Sequence, residues 1–243
     1  MIPHNKKNRV GEKYVTNEGY TVEIIEYFNR RNCTIRFDYG LIRSNVYLDN
    51  LIAGAIRNPL HKSVCGVGYT GIGVYKNSKI RNIWNDMITR CYDAKTQINS
   101  PSYKECFVVE SWHNFQNFAA WYEENYTEGF HLDKDILIKG NKVYGPDTCD
   151  FVPREINNII VKSDKIRGKY PIGVCRQGEK YLAQLHIEGK TTYLGIFNTP
   201  EEAFATYKKA KEKRVRQLAN KWKKKISIKI YQALMNYRVE ITD

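Results

Sequence analysis

The first third of the chain alternates apolar and polar residues in short runs. YTVEIIEYF (residues 20–28) and CTIRFDYG (residues 33–40) are rich in β-branched and aromatic residues, and turn residues flank them. Runs of this kind between turns are typical of antiparallel strands. The pattern predicts a small β module over residues 11–58.

The middle of the chain changes to a helical period. Residues 80–92 and 111–126 each place apolar side chains three and four positions apart, with Ser111 as the predicted N-cap of the second helix. The predicted buried stripes are Ile80, Trp84, Met87, Ile88 and Cys91, and Trp112, Phe115, Phe118, Ala119 and Tyr122. We interpret both stripes as helix core.

Four glycines lie in VCGVGYTGIGVY (residues 64–75), before the first of these helices. A glycine-rich segment suggests a nucleotide-binding loop only when a strand precedes it and a helix follows directly. That frame is missing here. The segment is therefore predicted to be a flexible connector.

Period-two runs return in the last third. YPIGVCRQ, KYLAQLHIEG and KTTYLGIF are three short strand candidates over residues 170–197, with turns at residues 178–179 and 188–189. A long helix is predicted next, with Thr199 as N-cap, Pro200 in the first position and Glu202 completing a capping box. Three antiparallel strands backed by one helix follow from this pattern.

The positive charge is concentrated in that region. The formal net charge is +13, and residues 161–243 hold 19 Lys and Arg against 8 Asp and Glu. A localised excess of this kind favours a polyanionic partner, although a solvated Lys-rich helix without a partner would give the same count.

The six cysteines include no Cys-x-x-Cys pair, and the start of the chain has no signal-peptide pattern. No segment is apolar enough for a membrane span. These features predict a cytoplasmic protein with reduced thiols, no zinc site and no membrane partner. His113 and His131 are isolated, which favours packing or surface roles over metal binding.

A sheet with a helix on one face leaves its other face open, and a strand pair is narrow enough to enter the DNA major groove. The period of two predicts Gln184, His186, Thr191 and Tyr193 on that open face. Around the first turn, Arg176, Gln177 and Lys180 are further DNA-binding candidates, and Lys223, Lys224 and Lys225 are predicted to contact phosphates.

The run GVCRQ…KYLAQLHIEGK…YLGIFNTPEEAFATYKKA is similar to the plant-type APETALA/ethylene-response DNA-binding domain, which also occurs in phage endonucleases. The resemblance covers residues 169–220 and implies binding to double-stranded DNA. The plant domain lines its strands with Arg and Trp where this chain has Gln, His, Thr and Tyr. The base sequence that is read therefore does not carry over.

The segment HLDKDILIKGNKVYGPDTCDFVPREINN (residues 131–158) predicts a strand, two turns, a second strand and a helix. This layout resembles the HNH, or ββα-metal, nuclease fold. The resemblance implies that Asp133 and Asn157 bind Mg²⁺ or Mn²⁺, hard cations that prefer oxygen ligands. The family's loop-bracing Asn falls near Thr148 and is not preserved.

Lys134 occupies the position of the family's general-base histidine. A lysine with an ordinary pKa is protonated at neutral pH and cannot accept a proton. It could instead stabilise the charge of the transition state as a catalytic electrophile, or be an ion-paired remnant of a lost active site. His131 could replace it only if a bulge turned the strand. Asp133 and Asn157 could also simply cap a hairpin and a helix.

Together these features predict an α+β protein with three parts. They are a small β module (residues 1–65), an HNH-like ββα-metal domain braced by helices (residues 66–163) and a C-terminal three-stranded antiparallel sheet with basic helices (residues 164–243). The chain resembles phage HNH endonucleases of the homing type, which implies a magnesium-dependent nuclease or nickase in the bacterial cytoplasm. The alternative is a DNA-binding regulator or phage effector without catalysis. The sequence leaves the oligomeric state open.

Overall fold

The computed structural model describes residues 8–160, 169–187 and 189–241. The fold is α+β, as the sequence predicts, with an antiparallel sheet near the N-terminus and a three-stranded antiparallel sheet followed by a helix near the C-terminus. The chain forms two compact units. The first runs to Tyr75 and includes Asn114–Gln116, and the second contains the remaining residues.

The first unit is built on a four-stranded antiparallel sheet in sequential order. Its elements are β1 (Lys13–Val15), β2 (Thr21–Asn29), β3 (Asn32–Phe37), β4 (Ile42–Val46) and the short helix α1 (Leu48–Ile52). Alternate residues of β2 and β3 turn inward, so that Val22, Ile24, Ile35 and Phe37 form one buried cluster with Leu51 of α1. The predicted β module is thus observed, with a helix after its last strand.

The glycine-rich segment is ordered, and the prediction of a flexible connector is wrong. The buried side chain of Gln116 holds it: Oε1 accepts from the Tyr75 amide at 3.0 Å, while Nε2 donates to the carbonyls of Thr70 and Tyr75. A Cβ atom on Gly73 would lie 2.3 Å from Gln116 Oε1. Gly73 is therefore needed for close packing, which glycine allows because it lacks a side chain.

The second unit begins with helices α2 (Ser78–Tyr92) and α3 (Ala94–Asn99) and continues, after two short 3₁₀ turns and strand β5 (Phe107–Val108), to α4 (Phe115–Asn125). Every residue of the two predicted apolar stripes is buried. The second helix starts later than predicted, because Glu110–His113 forms a 3₁₀ turn and Asn114 accepts a hydrogen bond from the Gln116 amide.

A strand pair and a helix follow, in the predicted order. Strands β6 (Phe130–Asp133) and β8 (Asp150–Pro153) pair antiparallel, and α5 (Arg154–Ile160) follows β8 directly. A two-residue strand, β7 (Val143–Tyr144), lies between them in sequence and pairs with β5 in parallel. The first strand is shorter than predicted, because the chain turns after Asp133.

The C-terminal sheet has the order β11-β10-β9, from strands β9 (Val174–Gln177), β10 (Lys180–Ile187) and β11 (Lys190–Phe197). The turn at residues 178–179 is observed; the second predicted turn includes Glu188, which lies outside the described residues. Helices α6 (Pro200–Trp222) and α7 (Ile228–Met235) complete the chain, and α6 starts with the predicted Thr199–Glu202 capping box.

Helix α6 takes part in two hydrophobic clusters. Its N-terminal half packs Phe204 and Tyr207 with Leu185 of the sheet. Its C-terminal half packs Val215, Leu218 and Ala219 with Val152, Ile156 and Ile159 of β8 and α5. One 23-residue helix therefore stabilises both the C-terminal sheet and the β6–β8–α5 region. The boundary predicted at residues 163–164 lies outside the described residues.

All six cysteines are free thiols, and four of them, Cys33, Cys91, Cys106 and Cys149, are buried. Within the described ranges, no helix combines the length and apolar character that crossing a membrane requires.

Candidate metal site and nucleic-acid interface

A cleft of about 430 Å³ opens beside the end of β6. Asp133, Lys134 and Asn157, which are far apart in sequence, all line it. Three further cations, Arg90, Lys139 and Lys142, and the aromatic rings of Tyr103, Tyr144 and Tyr237 complete much of its wall. The three residues that the HNH resemblance selects are thus brought to one place.

Asp133 ends strand β6 and turns the chain. Its Oδ1 accepts hydrogen bonds from the amides of Asp135 and Ile136, both at 2.8 Å. Among the described residues, none donates to the second carboxylate oxygen. Burial raises the pKa of this carboxyl, although the two amide donors partly oppose the shift. A carboxylate in this setting gains stability from a bound cation.

Asn157 lies in the middle of α5, where Ile156 and Ile159 fix the helix in the core. Its side chain is half-buried and lines the cleft. Within the described part of the chain it makes no hydrogen bond, so its amide oxygen is available to a ligand. A half-buried amide without a partner is uncommon unless water or a ligand satisfies it.

Lys134 points into the protein interior and is only 8% exposed. Its Nζ donates to Asp135 Oδ1 and to the carbonyl of Asn141, each at 2.7 Å. Its Nζ is thus engaged by two acceptors, a carboxylate and a backbone carbonyl. A direct catalytic role for Lys134 stays a prediction, and its observed contacts fix the loop between Asp133 and β7.

Asn141 is a loop residue that the sequence interpretation missed. Its Nδ2 donates to the carbonyls of Lys134 and Val143, and its Oδ1 accepts from the Val143 amide at 3.1 Å. The hydroxyl of Thr148 donates to the Val143 carbonyl at 2.8 Å. Asn141 and Thr148 therefore brace the loop together. The sequence analysis placed the bracing residue near Thr148 and predicted that it was not preserved. The turn KGN was the available signal.

Arg90 is the other residue that sequence reasoning passed over. It lies outside the buried stripe of α2, with its guanidinium carbon 5.7 Å from the centre of the Tyr103 ring. Lys142 Nζ donates to the Ser102 carbonyl at 3.2 Å, and Lys139 Nζ to the Arg238 carbonyl at 3.4 Å. These cations line the same cleft as Asp133 and give it positive charge, which suits a phosphodiester.

The donor set fits a hard divalent cation. In the described parts of the chain, no group of three or more His, Cys, Asp or Glu side chains could hold a metal ion, as a structural zinc site would require. Mg²⁺ commonly binds through one or two protein oxygens and keeps several waters. One carboxylate oxygen of Asp133 and the amide oxygen of Asn157 are donors of that type on the wall of one cleft.

A second carboxylate lies across the strand pair. Asp150 is the register partner of Asp133, and its Oδ2 accepts a hydrogen bond from the hydroxyl of Ser227. Asp150 therefore bonds the N-cap residue of α7 and is not among the residues that line the cleft. Because Asp150 is paired with Asp133 in register, its carboxylate could compete with Asn157 as a second metal ligand.

The two isolated histidines lie away from the cleft wall. His131 is exposed on β6 opposite Val152, and His113 Nε2 lies 3.2 Å from the Tyr92 hydroxyl. Neither lines the cleft.

Four predicted base-reading residues share one face of the C-terminal sheet. Gln184 pairs with Tyr193 and His186 with Thr191 across β10 and β11, after a bulge at Ala183. His186 Nδ1 lies 3.1 Å from Thr191 Oγ1, and Tyr193 is 71% exposed. These polar side chains are available to a partner, since the opposite face packs on α6.

The three candidates at the first turn are exposed but differ in orientation. Gln177 pairs with Lys180 at the end of the hairpin. Arg176 pairs with Tyr181, one position out of phase with Gln184, and its Nε donates to the Gly178 carbonyl at 2.9 Å. Arg176 therefore belongs to the hairpin end and not to the face that carries Gln184.

Lys223, Lys224 and Lys225 are exposed together where α6 ends. Lys223 Nζ lies 5.1 Å from the centre of the Tyr231 ring, and Lys225 Nζ lies 5.7 Å from that of Trp222. Their charges point to solvent, without a carboxylate partner in the described residues.

The chain matches no family model, no curated protein and no solved structure. Its function has to be argued from the geometry of the cleft and the sheet.

Proposed function

We propose that this protein is a metal-dependent DNA endonuclease or nickase of the ββα-metal type. The observation that carries the proposal is the cleft in which β6 and α5 present Asp133 and Asn157 together. A strand pair followed by a helix provides one ligand at a strand end and one on the helix.

Asp133 and Asn157 would hold Mg²⁺ or Mn²⁺. A bound divalent ion would supply charge stabilisation at the leaving oxygen of a phosphodiester. Arg90, Lys139 and Lys142 would neutralise the phosphate as it enters the cleft, and the exposed sheet face with Gln184 and Tyr193 would hold the duplex.

Lys134 would act as a positioning residue. Its bonds to Asp135 and Asn141 fix the loop whose amides hold the Asp133 carboxylate in place. Preorganised ligands of this kind lose little freedom when the substrate binds.

One observation favours a second function, DNA binding without cleavage. Among the described residues, no histidine lines the cleft, and the lysine at the base position is buried and bonded to Asp135 and Asn141. A protein that kept the ββα fold to bind DNA would show the same geometry. The phage effector or regulator thus stays the alternative.

Nicking of supercoiled plasmid DNA distinguishes the two functions. We expect cutting by the intact chain with Mg²⁺ or Mn²⁺, no cutting in EDTA, and loss of at least about 100-fold in rate with Asp133→Ala, as for removal of a main electrostatic contributor. Asp147→Ala is the matched control, because Asp147 is an exposed carboxylate in the same connection.

Plasmid that stays intact with both metals, while the protein still binds DNA, would establish the second function. Equal cutting by the wild type and the Asp133→Ala variant would show that this cleft does not take part in the reaction.

A further inference from the structure

The first unit contains a groove of about 760 Å³ that the proposed nuclease site does not use. β4, the segment around Pro59 and the glycine-rich segment that Gln116 holds in place form its walls. Arg43, Arg57 and His61 contribute polar groups, and Ile42 and Ile72 contribute apolar surface.

Three of the six arginines of this unit are paired with carboxylates. Arg9 pairs with Glu12, Arg30 with Asp49 and Arg36 with Glu23. Arg31, Arg43 and Arg57 have no carboxylate within ion-pair distance in the part of the chain that the structure describes. Two of these three, Arg43 and Arg57, line the groove, which therefore concentrates unpaired guanidinium charge.

The arginines are also held differently. Arg43 Nη1 donates to the Arg57 carbonyl at 2.8 Å, which fixes its guanidinium along the groove. The Arg57 side chain makes no hydrogen bond with described residues. Glu18 lines the same groove, but its Oε2 accepts from the Asn58 amide at 2.7 Å and so is engaged by the wall.

Backbone donors add to the positive character of the wall. The amides of Ile72 and Gly73, which line the groove, donate no hydrogen bond within the described residues, and both residues are exposed. Amides at such a bend, beside two guanidinium groups, are donors that phosphate oxygens accept.

From these features we infer that the groove is a second nucleic-acid contact, which binds the phosphodiester backbone of DNA. Guanidinium groups bind phosphate oxygens in pairs and are the preferred cations for this purpose. Ile42 and Ile72 are 55% and 61% exposed, and they offer apolar surface against the sugars between phosphates. This inference rests on the proposed function, because DNA is also the partner proposed for the second unit.

An acidic peptide is the competing occupant. It would use the same cations, and its backbone could pair with β4, which is the edge strand of its sheet. We favour the repeating phosphates of DNA, because the chain carries a formal net charge of +13 and DNA is the partner already proposed for it.

The test measures affinity of the full chain for a labelled 40-base-pair duplex in EDTA, from 50 to 200 mM salt. We expect the double variant Arg43→Glu with Arg57→Glu to reduce the magnitude of the slope of log affinity against log salt by about 2, since each lost phosphate contact removes roughly 0.9. Affinity should fall at least about tenfold at 100 mM salt. Arg57→Glu alone should give about half the change in slope, and it preserves the bond that Arg43 donates.

Lys13→Glu with Arg31→Glu is the matched control, because both side chains are exposed cations of the same unit outside the groove. It makes the same change in charge and should alter affinity by less than about threefold. If the Glu double variant is unfolded, Arg43→Gln with Arg57→Gln replaces it, and thermal melting checks the fold of both.

Equal losses in the groove and control variants would overturn the inference, as would no loss in either. Binding of a labelled poly-glutamate peptide that depends on Arg43 and Arg57, with unchanged DNA affinity, would overturn it in favour of a peptide. A triple variant, Lys223→Glu with Lys224→Glu and Lys225→Glu, is measured in parallel to separate the groove inference from the proposed function. If only this triple variant weakens binding, the groove does not contact DNA, but the protein still binds DNA. If the wild type binds no DNA, the groove inference and the proposed function are both wrong.

Discussion

The loop between Asp133 and Tyr144 and the open face of the C-terminal sheet are both rich in polar side chains, but they use them in opposite ways. In the loop, Lys134 and Asn141 are buried and bonded to the backbone. On the sheet, Gln184 and Tyr193 are register partners, and His186 lies beside Thr191 on the same face. The first set fixes a shape, and the second is available to a partner.

This difference separates two kinds of functional inference. Polar residues in a sequence indicate possible chemistry. The sequence alone, however, does not distinguish a buried lysine that holds a loop together from a lysine that contacts substrate. Polar residues at period-two spacing on an exposed sheet face have fewer alternative roles. The proposed DNA contact of this face therefore depends on fewer assumptions than the proposed catalysis does.

The largest expected effect concerns the exposed lysines at the end of α6. Charge reversal at Lys223, Lys224 and Lys225 should weaken DNA binding on the order of 100-fold and lower the salt slope by about 3, because phosphate contacts are independent of sequence. Titration against two unrelated duplexes checks this. A loss restricted to one duplex would mean that these lysines read bases.

The loop itself should respond through stability. Lys134→Met removes the donor to the buried carbonyl of Asn141, and an unpaired buried carbonyl costs about 1–3 kcal/mol. Urea unfolding measures the change. Lys223→Met is the exposed control and should change stability by less than about 0.5 kcal/mol. Equal stabilities of the two variants would show that the Lys134 contacts contribute little.

Gln184 should act on specificity alone. Gln184→Ala is expected to relax the preference at one base position by about 1–3 kcal/mol and to leave the salt slope unchanged. Competition among single-base variants of the preferred duplex measures this. The prediction would be refuted by a uniform loss of affinity for all sequences.

The smallest effect is a pH-dependent gain in stability. Burial raises the pKa of Asp133, so its ionised form is less stable in the folded than in the unfolded chain. Asp133→Asn keeps an oxygen for the amides of Asp135 and Ile136 and should therefore raise Tm at pH 7–8. About 2–4 °C is expected per 1 kcal/mol relieved.

The gain should shrink as the pH falls through the raised pKa towards the unfolded value, because the wild-type carboxyl then becomes protonated as well. Addition of Mg²⁺ should raise the Tm of the wild type more than that of the variant. Asp147→Asn serves as the exposed control. A gain that is constant from pH 8 to pH 4 would argue against a buried ionised carboxylate.

Periodic features were predictable from the sequence. The apolar stripes of α2 and α4, the three strands of the C-terminal sheet and the Thr199–Glu202 capping box all depend on local spacing, and the structure confirms them. The layout of β6, β8 and α5 followed from turn residues and strand composition in the same way.

Features that depend on distant contacts were not predictable. The glycine-rich segment is ordered because Gln116, about 40 residues further along, supplies its hydrogen bonds. Helix α6 looked like part of a separate domain, yet Val215 and Leu218 pack on Val152 and Ile156. The orientation of Lys134 depended on a carbonyl seven residues away, which no local pattern indicates.

The most direct test of the central claim is a crystal structure of the intact protein with duplex DNA and Mn²⁺, located by its anomalous scattering. The account predicts one Mn²⁺ between an Asp133 carboxylate oxygen and the Asn157 amide oxygen, at about 2.0–2.3 Å from each, as is usual for hard cations and oxygen ligands. An ion shared by Asp133 and Asp150 with Asn157 turned away, or no ion in the cleft, would contradict it.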